Sequence, residues 1–482
     1  MSTAAPPRPA RLGLVLALLA FAQMIIAIDY NIVFVALPEI GAGLDFGSQH
    51  LQLVVSAYAV AFGGFLLLGG RAADLFGRRR MFLLGMILFA GSSLLGALAA
   101  DPWTLVAARA VQGVGAAFVA PATLSLVTTS FREGPERNRA LAVWGGAGGA
   151  GMVLGSLLGG VLTQAFGWQG VFYVMVVFCA VAVVAAFALL PAAAGASGGG
   201  FDLPGAATGT AASLLLVFGL VQGPELGWPS GAVVGSLAAA AVLFGLFVLI
   251  ESRSRGPLMP LRLFGNRNLS TGTAVCFLFM ATFGALAYFL TQFWQAVEGY
   301  SALATGLAFI LPSASVLVGT VLGGRAATAM GVRRSLLVAL AVGLAGTVAL
   351  ALVLDQGASY LVLAGPLLVL SLGQGMVFTL MFAASTTGVD AADQGIGSGI
   401  ATQGQQIGGA VGLAALIAIA AGSGGADAAD PAAYTDGILV ALWAIVAGIA
   451  LTVPVVLNLK APAEPAAALL DDEEVAFAAE RT

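Results

Sequence analysis

Two stretches decide how this chain is read: Gly69–Arg80, GGRAADLFGRRR, and Gly323–Arg334, GGRAATAMGVRR. They share Gly-Gly-Arg-Ala-Ala, a later Gly and a closing Arg-Arg at a constant offset of 254 residues, from 69 to 323. Each copy follows a long apolar run and opens a short basic turn, so the two hold equivalent places in a repeated pattern. A repeat that restarts so far along the chain implies two similar halves with something inserted between them. Membrane transporters are commonly built from such repeats, with the substrate site at their interface near the midplane.

The surrounding composition supports a membrane reading. The 482 residues are 60% hydrophobic and 9% charged, with a mean hydropathy of +1.01, whereas soluble chains run at about 45–50% apolar and about 25% charged. A transmembrane helix takes about 20 consecutive apolar residues. Runs of that kind occur at 12–37, 51–70, 81–100, 103–130, 140–165, 170–190, 205–222, 232–250, 269–295, 303–324, 335–354, 360–386, 398–421 and 437–458. Fourteen spans place both termini on one side. Lys and Arg accumulate in cytoplasmic loops. Eighteen of the 19 fall in the tails or in alternate loops on one face, and the remaining one, Arg109, lies inside a span. The opposite loops contain Glu39, Asp45, Asp101, Glu225, Glu298, Asp355, Asp427, Asp430 and Asp436 without a single Lys or Arg. The expectation is an all-α, multi-pass membrane protein of the bacterial inner membrane with cytoplasmic termini. The bacterial setting rests on heavy Ala, Gly and Arg usage.

The first run is too long for a cleaved signal, whose apolar core is about 7–15 residues. Residues 1–190 are expected to form a six-helix half, 191–268 a linker with two inserted helices, 269–458 a second six-helix half, and 459–482 a disordered acidic tail around Asp471–Glu474. Cys179 and Cys276 lie in apolar runs without redox or metal spacing. His50 alone cannot build a zinc site. No cofactor, metal or nucleic-acid partner is expected. A GxGxxG match, Gly146-x-Gly148-x-x-Gly151, sits in an apolar helix without a βαβ unit and is set aside.

Four motifs, in order, resemble those of the major facilitator superfamily, and in particular its 14-helix drug:proton antiporters. Ile28–Pro38 is similar to the first-helix motif, with Asn31 and Phe34 replacing its Thr and Asn. Gly70-x-x-x-Asp74-x-x-Gly77-x-Arg79-Arg80 is similar to the loop signature, with Leu75 in place of its basic residue. Leu105, Arg109, Gln112, Gly113, Gly115 and Ala117 match the fourth-helix motif. Gly151, Gly155, Gly159 and Gly160 match the fifth-helix antiporter motif, with Ser156 for its Pro. The aromatic-Arg pair common after that helix reads Trp168-Gln169. The resemblance implies two six-helix halves plus two inserted helices, alternating access, and a cytoplasmic gate from Gly70, Asp74, Gly77, Arg78, Arg79 and Arg80. It also implies that the fifth-helix glycines seal one side of the cavity. The second repeat carries Thr328 where the first has Asp74, which predicts a one-sided latch.

Asp29 and Arg109 are the ionisable residues well inside spans, where charge is costly and marks a pathway or a pair. Asp29 precedes Pro38 by nine residues and Arg109 follows Trp103 by six, depths of about 13 and 9 Å at 1.5 Å per residue, close enough to meet. Burial favours the neutral carboxyl and a neighbouring guanidinium favours the charged one, so Asp29 is the proton-site candidate and Arg109 its partner. A static ion pair that fixes helix packing is the structural alternative. Candidate substrate-lining residues are Gln23, Asn31, Tyr58, Gln112, Tyr288, Gln292, Trp294, Gln374, Gln403 and Gln406. Amides, aromatics and one carboxyl suit a small amphipathic compound, so the expected partners are that compound, protons and the lipid bilayer, with the chain acting as a monomer. The expected function is proton-coupled efflux of a drug or secondary metabolite; a nutrient symporter or a narrow-specificity exporter is the alternative. A membrane enzyme is disfavoured by the absence of H-E-x-x-H, G-x-S-x-G and Cys/His clusters.

Overall fold

A computed structural model describes residues 9–44, 53–190, 202–254, 257, 259–300, 302–390, 393–422 and 431–460. His50, the start of the inter-half linker and the acidic tail lie outside the described residues. Among those described there is no strand, and the helices follow the apolar runs. They are α1 (Pro9–Gly43), α2 (Leu53–Phe76), α3 (Arg78–Ala97), α4 (Pro102–Ser130), α5 (Pro135–Phe166), α6 (Gln169–Leu189), α7 (Leu203–Leu226) and α8 (Gly231–Glu251). After a 3-10 turn, Leu261–Gly265, comes α9 (Arg267–Gln292), which ends in a π-helical turn, Phe293–Val297. The span α10 runs in two pieces, Ala302–Ala308 and Ile310–Met330, joined at Phe309; then follow α11 (Val332–Val353), α12 (Tyr360–Thr386), α13 (Gln394–Gly422) and α14 (Pro431–Val456). Among the described residues thirteen helices are long and apolar enough to cross a membrane, and α5 makes fourteen when its two pieces, Pro135–Met152 and Leu157–Phe166, at 44° to each other, are counted as one span.

The repeat is visible in the packing. In the first bundle α1 packs on α5, α2 on α4, and α3 on α4 and α6; in the second α9 packs on α13, α10 on α12, and α11 on α12 and α14. Adding eight to each helix number of the first set generates the second. The contacts that join the bundles also exchange under the same operation: α2 with α13 becomes α10 with α5, and α4 with α13 becomes α12 with α5. The turns repeat as well. Gly77 (φ 95°) and Gly331 (φ 79°) are 254 residues apart, as are Gly134 (φ 108°) and Gly388 (φ 71°). Positive φ is a conformation that glycine adopts without the Cβ penalty, so each half reverses direction at the same place by the same means.

The inserted pair breaks this symmetry. Helices α7 and α8 pack on each other, and α7 also lies on α2 and α13, along one of the two seams between bundles. A Cβ on Gly63 of α2 would sit 3.0 Å from Val217 of α7.

Candidate functional site

The first bundle holds a sealed polar cluster. Arg109 Nη1 on α4 donates to Asp29 Oδ2 on α1 at 2.8 Å and to Gln112 Oε1 at 2.6 Å. Gln112 Nε2 donates to Asp29 Oδ1 at 2.8 Å and lies 2.9 Å from Ser93 Oγ on α3. Arg109 Nε donates to the Val54 carbonyl of α2 at 3.1 Å, and the guanidinium carbon stands 4.4 Å above the Tyr58 ring. Asp29, Ser93, Arg109, Gln112 and Tyr58 are all 0–1% exposed. Four helices therefore converge on one carboxylate that accepts from two donors. Removing one partner of such a pair leaves an uncompensated buried charge, at a cost of about 3–5 kcal/mol. Protonating Asp29 would cancel its attraction for Arg109 while leaving the guanidinium its bonds to Gln112 and Val54. Neutralising Asp29 would thus weaken the link between α1 and α4 and leave the buried Arg109 charge with neutral acceptors in place of its carboxylate.

The α5 glycines seat α1 beside this cluster. A Cβ on Gly151, Gly155 or Gly159 would fall 2.7, 2.6 or 2.9 Å from the backbone oxygens of Met24, Ile28 and Ile32 respectively. Small residues at this spacing allow backbones to approach closely. Gly160 faces open space, with nothing within 4 Å of its Cβ position.

A second polar cluster joins the bundles at the arginine-rich face. Asp74, near the end of α2, accepts from the backbone N–H groups of Gly395 at 2.9 Å and Ile396 at 2.8 Å. These are orphan donors of the first turn of α13, where a negative charge is favoured. Arg78 reaches Asp74 at 3.3 Å, whereas Arg79 donates to the Phe187 carbonyl of α6 at 3.1 Å and Arg80 is exposed. Gly77 supplies the turn itself. A Cβ on Gly70 would lie 2.6 Å from the Gly395 oxygen, which is why the helices can meet there. The neighbouring Asp393 is held by Arg262 at 2.6 Å, from the turn that follows the inserted helices. The repeat gives the opposite seam a weaker version: Asn138 Nδ2 of α5 lies 3.4 Å from Thr328 Oγ1. The contact between the bundles at this face is therefore charged on one seam and neutral on the other.

The family model described as Major Facilitator Superfamily matches residues 19–413. The chain belongs to this superfamily. It is 37% identical over 451 residues to the cephamycin export protein CmcT of Amycolatopsis lactamdurans, covering 91% of each chain. It is 34% identical to the puromycin resistance protein pur8 of Streptomyces alboniger, over 89% of this chain and 87% of that one. It is also 34% identical to the multidrug resistance protein Stp of Mycobacterium tuberculosis, over 82% and 73% respectively. Among solved structures, the human organic anion transporter MFSD10 (TETRAN) superposes with a TM-score of 0.67 at 16% identity, over 93% of this chain and 100% of that one. At that identity the likeness is one of fold.

Within the superfamily fold the remaining candidate residues scatter. Tyr58 and Gln112, read from the sequence as lining, belong to the sealed cluster. Gln23 lies beside Gly148, and Asn31 Nδ2 donates to the Met152 carbonyl at 2.9 Å, both between α1 and α5. Gln292 bridges Tyr288 at 3.3 Å and Tyr434 at 3.0 Å. Trp294 is 1% exposed and packs edge-on against Phe309 at 4.9 Å, inside the second bundle. Gln374 Nε2 lies 3.3 Å from the Phe283 carbonyl. On α13, Gln403 is buried with both amide atoms unpartnered, and Gln406 is half-buried. Ser93, the one member of the buried cluster that the sequence does not mark, is a lone serine in an apolar run and carries no signal. The backbone donors that hold Asp74 cannot be read from residue identity at all.

Proposed function

We propose that this chain is an efflux transporter that exchanges external protons for a cytoplasmic drug-like or secondary-metabolite compound by alternating access. The arginine-rich face is cytoplasmic on this reading, both termini lie on that side, and the membrane is the bacterial inner membrane. The two bundles rock about the pseudo-twofold seams, with Asp74 on the end of α13 closing the cytoplasmic side. The names of the relatives, an export protein and two resistance proteins, support efflux.

The observation that carries proton coupling is the fully buried Asp29–Arg109 pair. Helix rise places Asp29 about 21 Å from the end of α1 at Gly43 and Arg109 about 10 Å from the start of α4 at Pro102, with both partners also held by Gln112. Deprotonated, Asp29 binds Arg109 and locks α1, α2, α3 and α4 together. Protonated from outside, it releases that lock, and the energy of proton entry is spent on reorienting the bundles. The test uses inverted membrane vesicles with an imposed acidic interior. Accumulation of puromycin or ethidium that collapses when nigericin dissipates the gradient supports the reading, and gradient-independent accumulation refutes proton coupling.

A further inference from the structure

A cavity of about 450 Å³ opens on the arginine-rich face of the second bundle, between the start of α9 and the end of α14. Small-molecule sites commonly hold about 300–1,000 Å³. Arg267, Ser270, Thr271 and Ala274 line it from α9, and Val455 and Asn458 from the end of α14. Phe264 and Gly265, in the turn before α9, complete the lining.

The lining grades from charged to apolar. Arg267 and Asn458 are exposed, and Ala274 lies about 10 Å farther along α9 than Arg267 by helix rise. No lining residue is acidic. Arg267 Nη2 donates to Asn458 Oδ1 at 3.0 Å, and the guanidinium makes no ion pair among the described residues. A guanidinium carries five N–H donors, so most of them remain free. Lys460 is exposed, and its backbone N–H donates to Asn268 Oδ1 at 2.9 Å, which tethers it to the start of α9. Outside the cavity, Leu451 and Leu457 at the same end of α14 are 65% and 48% exposed.

Thr271 independently points to a ligand. A helical Thr commonly returns its hydroxyl to a carbonyl three or four residues back, as Thr282 and Thr291 of α9 do at 2.6 and 2.8 Å. Thr271 is only 8% exposed and lines the cavity, yet its side chain makes no hydrogen bond among the described residues. The helix end itself is already capped, because Asn266 Oδ1 accepts from the N–H groups of Asn268 and Leu269. The free donors are therefore side chains. At the repeat offset of 254, from 69 to 323, the first half carries Gly13, Leu16 and Ala17 in place of Arg267, Ser270 and Thr271. The repeated fold does not demand these polar residues.

We propose that this cavity binds the headgroup of an anionic phospholipid from the adjoining leaflet, with Arg267 and the Thr271 hydroxyl donating to its phosphate oxygens. The planar guanidinium matches phosphate geometry, and Lys460 adds positive charge. Basic pockets between transmembrane helices suit such headgroups. A free phosphate would meet the same donors, but only a lipid would also cover Ala274, Val455 and Phe264 and lay its chains on the exposed leucines. The site lies within the second bundle and is independent of proton coupling and of the transported compound.

Native mass spectrometry of the full chain in detergent, titrated with dioleoylphosphatidylglycerol or dioleoylphosphatidylcholine, tests the proposal. The wild type should bind the first phosphatidylglycerol at least fivefold more tightly than the first phosphatidylcholine. Arg267→Gln should weaken phosphatidylglycerol roughly five- to tenfold, the scale of a charge-assisted hydrogen bond, and Thr271→Val, which keeps the shape, roughly threefold. Arg333→Gln, at another exposed arginine of this face, should stay within twofold of wild type. No preference between the two lipids in the wild type overturns the site. So does unchanged affinity in both Arg267→Gln and Thr271→Val, or equal weakening by Arg267→Gln and Arg333→Gln, which would mark diffuse surface charge. Displacement of the lipid by an equal concentration of glycerol 3-phosphate would make free phosphate the occupant and overturn the lipid assignment.

Discussion

Replacing Asp74 by Asn should tip the protein toward a state open at the arginine-rich face. In the closed state the Asp74 carboxylate, 1% exposed, accepts two backbone N–H bonds across the seam, at 2.9 and 2.8 Å, and pairs with Arg78 at 3.3 Å. Hydrogen bonds to a charged group contribute roughly 1.5–3 kcal/mol each, and a charge at a helix N-terminus adds about 0.3–1 kcal/mol. Asn keeps one acceptor oxygen and loses the charge, so the closed state loses about 2–3 kcal/mol of this sum. At 1.4 kcal/mol per decade that is a shift of roughly 30- to 150-fold in the closed-to-open ratio. Spin labels at Glu133 in the α4–α5 turn and Met330 at the end of α10, both exposed and in opposite bundles, report the separation. Cys179 and Cys276 are buried and are replaced by alanine. The distance distribution should gain a longer component in Asp74→Asn. Thr328→Ala, which loses one neutral bond of 3.4 Å, should shift it far less. An unchanged distribution in a folded Asp74→Asn protein would refute the latch.

Other consequences are equally concrete. Arg109→Ala strands the buried Asp29 and should lower the unfolding midpoint by the equivalent of about 3–5 kcal/mol, while adding Asp29→Asn should recover part of that loss, since residues in contact are not additive. Gly155→Leu forces a side chain into a site where even a Cβ lies 2.6 Å from the Ile28 oxygen. It should cost about 1–3 kcal/mol by overpacking, and Gly160→Leu, with open space around it, should leave the melting midpoint close to wild type. Asp29→Asn should still bind substrate in nanodiscs, yet vesicle uptake by this variant should no longer respond to the size of the pH gradient.

How much of this is written in the sequence depends on whether the signal is local. Fourteen apolar runs punctuated by basic and acidic loops correspond to the fourteen helices, because crossing the hydrocarbon demands a minimum apolar length of every span. The repeat at Gly69 and Gly323 was legible because turn chemistry and charge recur in order. The depth of Asp29 and Arg109 could be counted from Pro38 and Trp103, since helix rise is fixed. Tertiary choices were not legible. Nothing in the first-half sequence says that Asp74 docks on the amides of Gly395 and Ile396, because backbone donors have no residue code. Tyr58 and Gln112 look alike as lining or as ion-pair support until the helices are placed. The bend in α5 likewise left no proline to mark it.

The most direct test of the central claim is proton release from inverted vesicles preloaded with an acidic interior, on adding cationic and neutral amphipathic dyes. The wild type should alkalinise the interior when a transported dye is added, and Asp29→Asn should bind the same dye without releasing protons. Release of equal size in Asp29→Asn would contradict the account and place the proton site elsewhere.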